Sequence, residues 1–139
     1  MLSRQTEQLQ RTVQYMMREI AEQYVSLLAE TKMLKADMDT LDPKKYSSDE
    51  RSIVREIRNI RIQRIKKNIA DITAFKEWVA SISDKHTKKV IVLRYVNGCT
   101  WGEVANQLGG CNSADGVKHL CHRYFSRYGQ RNEETETAK

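Results

Sequence analysis

The chain has 139 residues, 40% hydrophobic and 30% charged, with one Pro, six Gly, three Cys and a formal net charge of +6. That length fits one domain, or a small domain with an extended helical segment, and so little Pro and Gly argues for long helices with few connections. The basic balance favours an anionic partner, nucleic acid first among them, with an ordinary basic surface as the alternative.

No apolar run approaches the roughly 20 residues that span a bilayer, so no membrane partner is expected. The opening MLSRQTEQLQ lacks the apolar core of a secretory signal. Cys99, Cys111 and Cys121 are odd in number and cannot form a complete disulfide set, which points to a reducing compartment, the cytoplasm. Charge is unevenly spread. Residues 1–42 carry five basic and seven acidic groups, a balance of −2, whereas residues 43–83 and 84–131 each stand at +5 and residues 132–139 at −2.

From about Ser3 to Leu41 there is no Pro and no Gly. Val13, Met17, Ile20, Tyr24, Leu27, Thr31, Leu34, Met38 and Leu41 recur at alternating spacings of four and three. That is a heptad seam, broken only by Thr31, and it predicts one long helix. A single narrow seam does not offset the entropy lost in ordering such a rod, so the helix needs a partner. LDPKKYSSDE holds the only proline and interrupts helical geometry. Ser47 or Ser48 then caps a second helix whose first turn carries Asp49 and Glu50. Its apolar positions, Val54, Ile57, Ile60, Ile65, Ile69, Ile72, Phe75, Val79 and Ile82, repeat with nearly the same period.

Folding the second helix back on the first near residue 45 would bring Glu30 toward Arg61 and Glu22 toward Lys67, acidic helix against basic helix. The same seam also suits pairing between chains, so a homo-oligomer through the N-terminal helices stays open. The basic run Arg51, Arg55, Arg58, Arg61, Arg64, Lys66 and Lys67 has two readings. It is either a track for a phosphate backbone or a solvated face that balances the acidic first helix, and the second is the more common.

Asp84 is an N-cap for a third helix carrying Val90, Ile91, Leu93 and Tyr95 and ending at Asn97-Gly98, where Gly can take the left-handed conformation. Thr100 caps a fourth helix and Glu103 completes a capping box. Trp101, Val104, Ala105 and Leu108 point inward, and Gly109 supplies the positive φ of a tight turn. Asn112 or Ser113 caps the last helix, whose buried side is Val117, Leu120, Cys121 and Tyr124. Its other side presents Ala114, Lys118, His119, His122, Arg123 and Ser126, with Arg127 beside them. This is the outline of a helix-turn-helix with the last helix as the reader of the major groove. Ser113, Lys118, His119, His122, Arg123, Ser126 and Arg127 are the candidate DNA contacts, Lys118 and Arg123 to guanine or phosphate and Ser113 to a phosphate. For the histidines an exposed polar face is an equal alternative. Arg94 reads as a structural or phosphate-positioning group.

The run KKVIVLRYVNGCTWGEVANQLGGCNSADGVKHLCHRYF resembles region 4 of sigma-70-type factors. It is still more similar to the sigma-region-4-like domain of small phage-encoded regulators of the RinA and ArpU group, which activate late genes. The resemblance covers residues 84–127, about a third of the chain, and rests on LRYVNGCTW with Glu103, Val104, Ala105, Leu108 and Gly109, then Val117 and Leu120. GGCNSADG makes a longer turn than the family's common pattern. The resemblance implies an accessory phage or prophage transcription regulator that binds double-stranded DNA, its helical segment contacting either bacterial RNA polymerase or a second protomer, without the sigma domain that opens promoters.

A zinc site among Cys99, Cys111, His119, Cys121 and His122 lacks paired ligand knuckles, and no phosphate loop, carboxylate pair or nucleophile motif is present, so neither a metal, a cofactor nor an enzyme is expected. The expected architecture is all-α. Residues 1–82 form a long helical hairpin or coiled coil, 83–131 a three-helix helix-turn-helix head, and 132–139 a disordered acidic tail. Two other functions remain in play: a small terminase-like DNA-packaging subunit, and a coiled-coil protein-interaction module.

Overall fold

The computed structural model describes residues 3–127, the Arg127 side chain excepted. The tail 132–139 expected to be disordered, and residues 128–131 of the head, lie outside the described residues. Among the described residues there are five α-helices and no strand: α1 (Arg4–Asp37), α2 (Ser48–Ser81), α3 (Lys85–Ile91), α4 (Trp101–Leu108) and α5 (Ala114–Arg127). The all-α class is therefore observed. A short 3₁₀ turn, Pro43–Lys45, lies between α1 and α2, and α3 runs on into a π-helical turn, Val92–Val96. No helix among the described residues is long and apolar enough to cross a membrane.

The chain falls into two compact units. One is Gln23–Ala74; the other joins the chain up to Glu22 with the chain from Phe75 onward. The unit boundary thus falls inside both long helices.

In the first unit, Tyr24, Leu27 and Thr31 of α1 are buried as the heptad pattern predicts, and Leu34, Met38 and Leu41 are half-buried. The Thr31 hydroxyl donates to the Leu27 carbonyl at 2.7 Å, which removes its need for water. On α2 the inward row differs from expectation. Ile57, Ile60 and Ile69 are exposed. Val54, Ile65 and Ile72 alternate instead with Arg58, Arg61 and Asn68, again at spacings of four and three, and Asn68 is only 1% exposed.

The reason is that each polar member has a specific partner on α1 or on the turn just after it. Arg58 Nη1 donates to the carbonyls of Met38 and Leu41, in the turn beyond α1, at 3.0 and 3.2 Å, and so ties that turn to α2. Arg61 pairs with Asp37 at 3.1 Å. Asn68 Nδ2 donates to Glu30 at 2.9 Å. Glu30 also takes Arg64 Nε at 2.6 Å, so its partner is Arg64 and not the expected Arg61, one helical turn away. Arg64 and Asn68 together hold the Glu30 carboxyl below the usual carboxylate range. Pairs 58 with 38, 61 with 37 and 68 with 30 run in opposite senses along the two helices, so α2 lies antiparallel to α1 within this unit.

The turn between them is built locally. Asp42 accepts from the Lys44 amide at 3.0 Å, Pro43 opens the 3₁₀ turn, and the Tyr46 hydroxyl donates to the Thr40 carbonyl at 2.9 Å. The Ser47 carbonyl accepts the Glu50 and Arg51 amides, so α2 starts at Ser48 with Asp49 and Glu50 at its positive end.

In the second unit the inward set on α1 is Gln14, Met17 and Ala21, all under 9% exposed, while the expected Val13 is 42% exposed. Gln14 is drawn in because its side-chain amide donates to the Tyr124 carbonyl of α5 at 3.2 Å. The core is aromatic. Trp78 of α2 stacks on Phe125 of α5 with centroids 5.5 Å apart and touches Phe75 and Tyr124 at 6.0 Å each. Tyr95 meets Phe125 edge-on at 5.9 Å. Val90, Ile91, Val104 and Cys121 are fully buried around this cluster.

Candidate nucleic-acid interface

The surface of α5 is defined by what holds its other side. Asp84 starts α3 by accepting from the His86 amide at 3.2 Å and the Thr87 hydroxyl at 2.6 Å, and the Thr87 hydrogen bond lowers its pKa. After the π-helical turn the Cys99 amide reaches back to the Leu93 carbonyl, and Gly98 takes a φ of 72° that a side chain would strain. The expected capping box opens α4: Thr100 Oγ1 accepts the Glu103 amide and Glu103 accepts the Thr100 amide, both at 3.1 Å. The Thr100 amide, and after it the Thr100 side chain, hold the Glu103 carboxyl below its ordinary pKa.

Gly109 and Gly110 both have positive φ, so the connection from α4 to α5 turns sharply at its start. The Asn112 side-chain amide closes the turn by donating to the Gly109 carbonyl at 2.7 Å. Ser113 is therefore the cap of α5, its Oγ accepting the Gly116 amide at 3.0 Å. A Cβ at residue 116 would stand 3.0 Å from that same oxygen, which explains a glycine in the first turn of a helix. Ser113 retains its hydroxyl proton for donation outward.

With α5 so fixed, Val117, Cys121 and Phe125 are buried, and Leu120 and Tyr124 half-buried. Four of these five were expected inward; Phe125 was not singled out. The Cys121 thiol, pushed up to about 11 by burial, donates to the Tyr95 hydroxyl at 3.8 Å, and that hydroxyl donates to Glu22 at 3.4 Å. This chain links α5 and the π-helical turn to α1. Burial also raises the Tyr95 pKa, so the phenol stays protonated and serves as a donor.

On the opposite side Ala114, Lys118, His119, Arg123 and Ser126 are exposed, as expected. The structure qualifies two of the candidate contacts. Ser126 Oγ donates to the carbonyls of His122 and Arg123 at 3.0 and 3.3 Å, so it faces solvent as an acceptor. His122 is half-buried, its ring edge-on to Trp101 at 6.1 Å. Desolvation by that burial, with Arg18 and Lys118 adding like charge, lowers its pKa and so favours the neutral imidazole. Arg127 closes α5, but its side chain lies outside the described residues.

Trp101 carries a second partner that sequence reasoning did not find. The Arg94 guanidinium lies 4.7 Å from its ring centroid and donates to the Cys99 carbonyl at 3.0 Å. Arg94 is thus a structural group that clamps the link between the π-helical turn and α4, one of the two roles expected for it. The three cysteines are free, Cys99 half-buried and Cys111 exposed, and among the described residues no three His, Cys, Asp or Glu side chains gather as metal ligands would. The arrangement offers exposed cationic and neutral hydrogen-bonding groups along one helix, seated on an aromatic and aliphatic base. Comparison with family models, curated proteins and solved structures finds no match to the chain.

Proposed function

We propose that the protein is a DNA-binding transcription regulator whose α4 and α5 form a helix-turn-helix head, with α1 and α2 folding as the helical hairpin that carries it. The observation that supports this most is the division of α5. Val117, Cys121 and Phe125 are buried on one side, and Lys118, His119 and Arg123 stand exposed on the other. An α-helix matches the width of the major groove, and Arg and Lys pair with guanine edges or with phosphate. Ser113, at the positive end of α5, adds a donor suited to a backbone phosphate. The resemblance of residues 84–127 to region 4 of sigma factors gives the reading its direction: an accessory activator at phage or prophage promoters, in contact with the host RNA polymerase.

The test is selection of bound sequences from random duplex DNA by the full chain, followed by titration of the winner at several salt concentrations. An enriched motif whose affinity falls steeply with salt supports the reading, because each phosphate contact releases counterions. No enrichment, or binding indifferent to salt, overturns it in favour of a protein-interaction module. Enrichment of a packaging-site sequence on a ring of many subunits would favour a DNA-packaging subunit.

A further inference from the structure

Four isoleucines of α2 are exposed, and three of them fall close together. Ile53, Ile57 and Ile60 are 59%, 38% and 65% exposed, although each costs free energy there that burial would recover. They belong to a row one residue out of step with the inward row Val54, Arg58, Arg61 and Ile65. The complete row is Glu50, Ile53, Ile57, Ile60 and Arg64, at spacings of three, four, three and four. Spacing of that kind puts all five on one stripe of the helix. The stripe lies wholly within the Gln23–Ala74 unit.

Its sequence is self-complementary. If a second α2 is turned end for end about Ile57, Ile57 meets Ile57, Ile53 meets Ile60, and Glu50 meets Arg64, each unlike pair occurring twice. Beyond the apolar centre Asp49 and Lys67 fall beside the same line, again acid toward base. A parallel copy would instead set Glu50 on Glu50 and Arg64 on Arg64. A nucleic acid would gain nothing from the isoleucines. Arg64 engages Glu30 through Nε and Nη2, at 2.6 and 3.5 Å, and its side chain remains half exposed.

We infer that this stripe of α2 binds a second copy of the chain, antiparallel and about a twofold axis through Ile57. A patch that meets itself in this way closes as a dimer and does not propagate. The dimer buries an apolar centre between charged ends, and the ends select the antiparallel sense. The inference is independent of what α5 binds.

Sedimentation equilibrium of the full chain across a micromolar concentration series tests it. The expected result is a mass that rises from 16.2 kDa toward twice that value. Ile57→Glu should hold the mass at the monomer value with an unchanged helical circular dichroism spectrum, because Ile57 is not part of the inward row. The decisive measurement mixes two variants. Glu50→Arg alone sets four like charges against one another, as does Arg64→Glu alone, whereas the equimolar mixture restores both unlike pairs. The mixture should associate several-fold more tightly than either variant by itself. A wild-type chain that stays monomeric, an Ile57→Glu chain that still dimerises, or a mixture no tighter than its components overturns the inference.

Discussion

The indole of Trp78 lies nearly parallel to the ring of Phe125, at 18° and 5.5 Å between centroids. It ties the end of α2 to the end of α5 through the largest side chain in the core. Trp78 is 9% exposed and also touches Phe75 and Tyr124. Removing it deletes three aromatic contacts and leaves a cavity that the rigid helix ends cannot fill. Trp78→Ala should therefore cost about 3–5 kcal/mol of stability, the range for large aromatic truncations in cores. Chemical denaturation checks this, and a loss below about 1 kcal/mol would show that the stack carries little of the core.

The Glu30 carboxylate accepts from both Arg64 and Asn68, and its pKa lies below the ordinary glutamate value, with the Arg64 hydrogen bond the largest cause. A depressed carboxylate contributes stability that is present above its unfolded pKa and disappears as pH falls through the folded value. The contribution of Glu30 is therefore intact at neutral pH and is lost below about pH 4.5. Glu30→Gln should lower the thermal midpoint at pH 7 and narrow the gap to wild type as pH falls toward 3. Because the pair is exposed, high salt should shrink the difference at pH 7. A gap that is constant across pH would show that the charge on Glu30 is irrelevant.

Much of this fold is legible in the sequence where the signal is local. The capping box of Thr100 and Glu103, the Asp84 cap and the left-handed Gly98 and Gly109 each depend on neighbours within a few positions, and each is found. The α1 row from Tyr24 to Leu41 is legible because apolar period and burial agree. The α2 row is not. Hydrophobicity points to Ile57, Ile60 and Ile69, but Arg58 and Asn68 face inward because their partners, on the turn after α1 and on α1 itself, are specific acceptors that no α2 pattern reveals. An arginine can bury its stem and still deliver its charged end to a carbonyl.

The same limit applies to the candidate interface. The exposed row of Lys118, His119 and Arg123 follows from helical period alone. The edge-on contact of His122 with Trp101 and the Arg94 clamp need three elements brought together across the π-helical turn, which is a backbone irregularity without a sequence marker here.

That contact makes His122 a distinct titrating group. Its pKa is lowered first by desolvation and then by Arg18 and Lys118, against an opposing effect of Glu22. A histidine whose folded pKa is depressed favours the fold while neutral, and that contribution is lost as pH falls through the folded value. In an NMR titration the His122 ring should shift with a midpoint below 6.5, the ordinary value for histidine. Trp101→Ala should move it back upward by removing part of the ring's cover. A midpoint at or above 6.5 in the wild type, or one unmoved in the variant, would contradict burial as the cause.

If α5 reads DNA, the exposed cations should separate by role. Lys118 is a compact charge suited to phosphate, whereas Arg123 presents a planar fork that can pair with a guanine edge. Lys118→Ala should weaken binding to all duplexes alike and reduce the steepness of the salt dependence by about one released counterion. Arg123→Ala should cost about 1–3 kcal/mol on the selected sequence and relax the preference at one base position. Both side chains are exposed, so helicity and thermal midpoint should be unchanged in either variant. Fluorescence anisotropy with the selected site and a scrambled duplex, each at several salt concentrations, measures both effects. Wild-type affinity in both variants would remove α5 as the DNA-contacting helix.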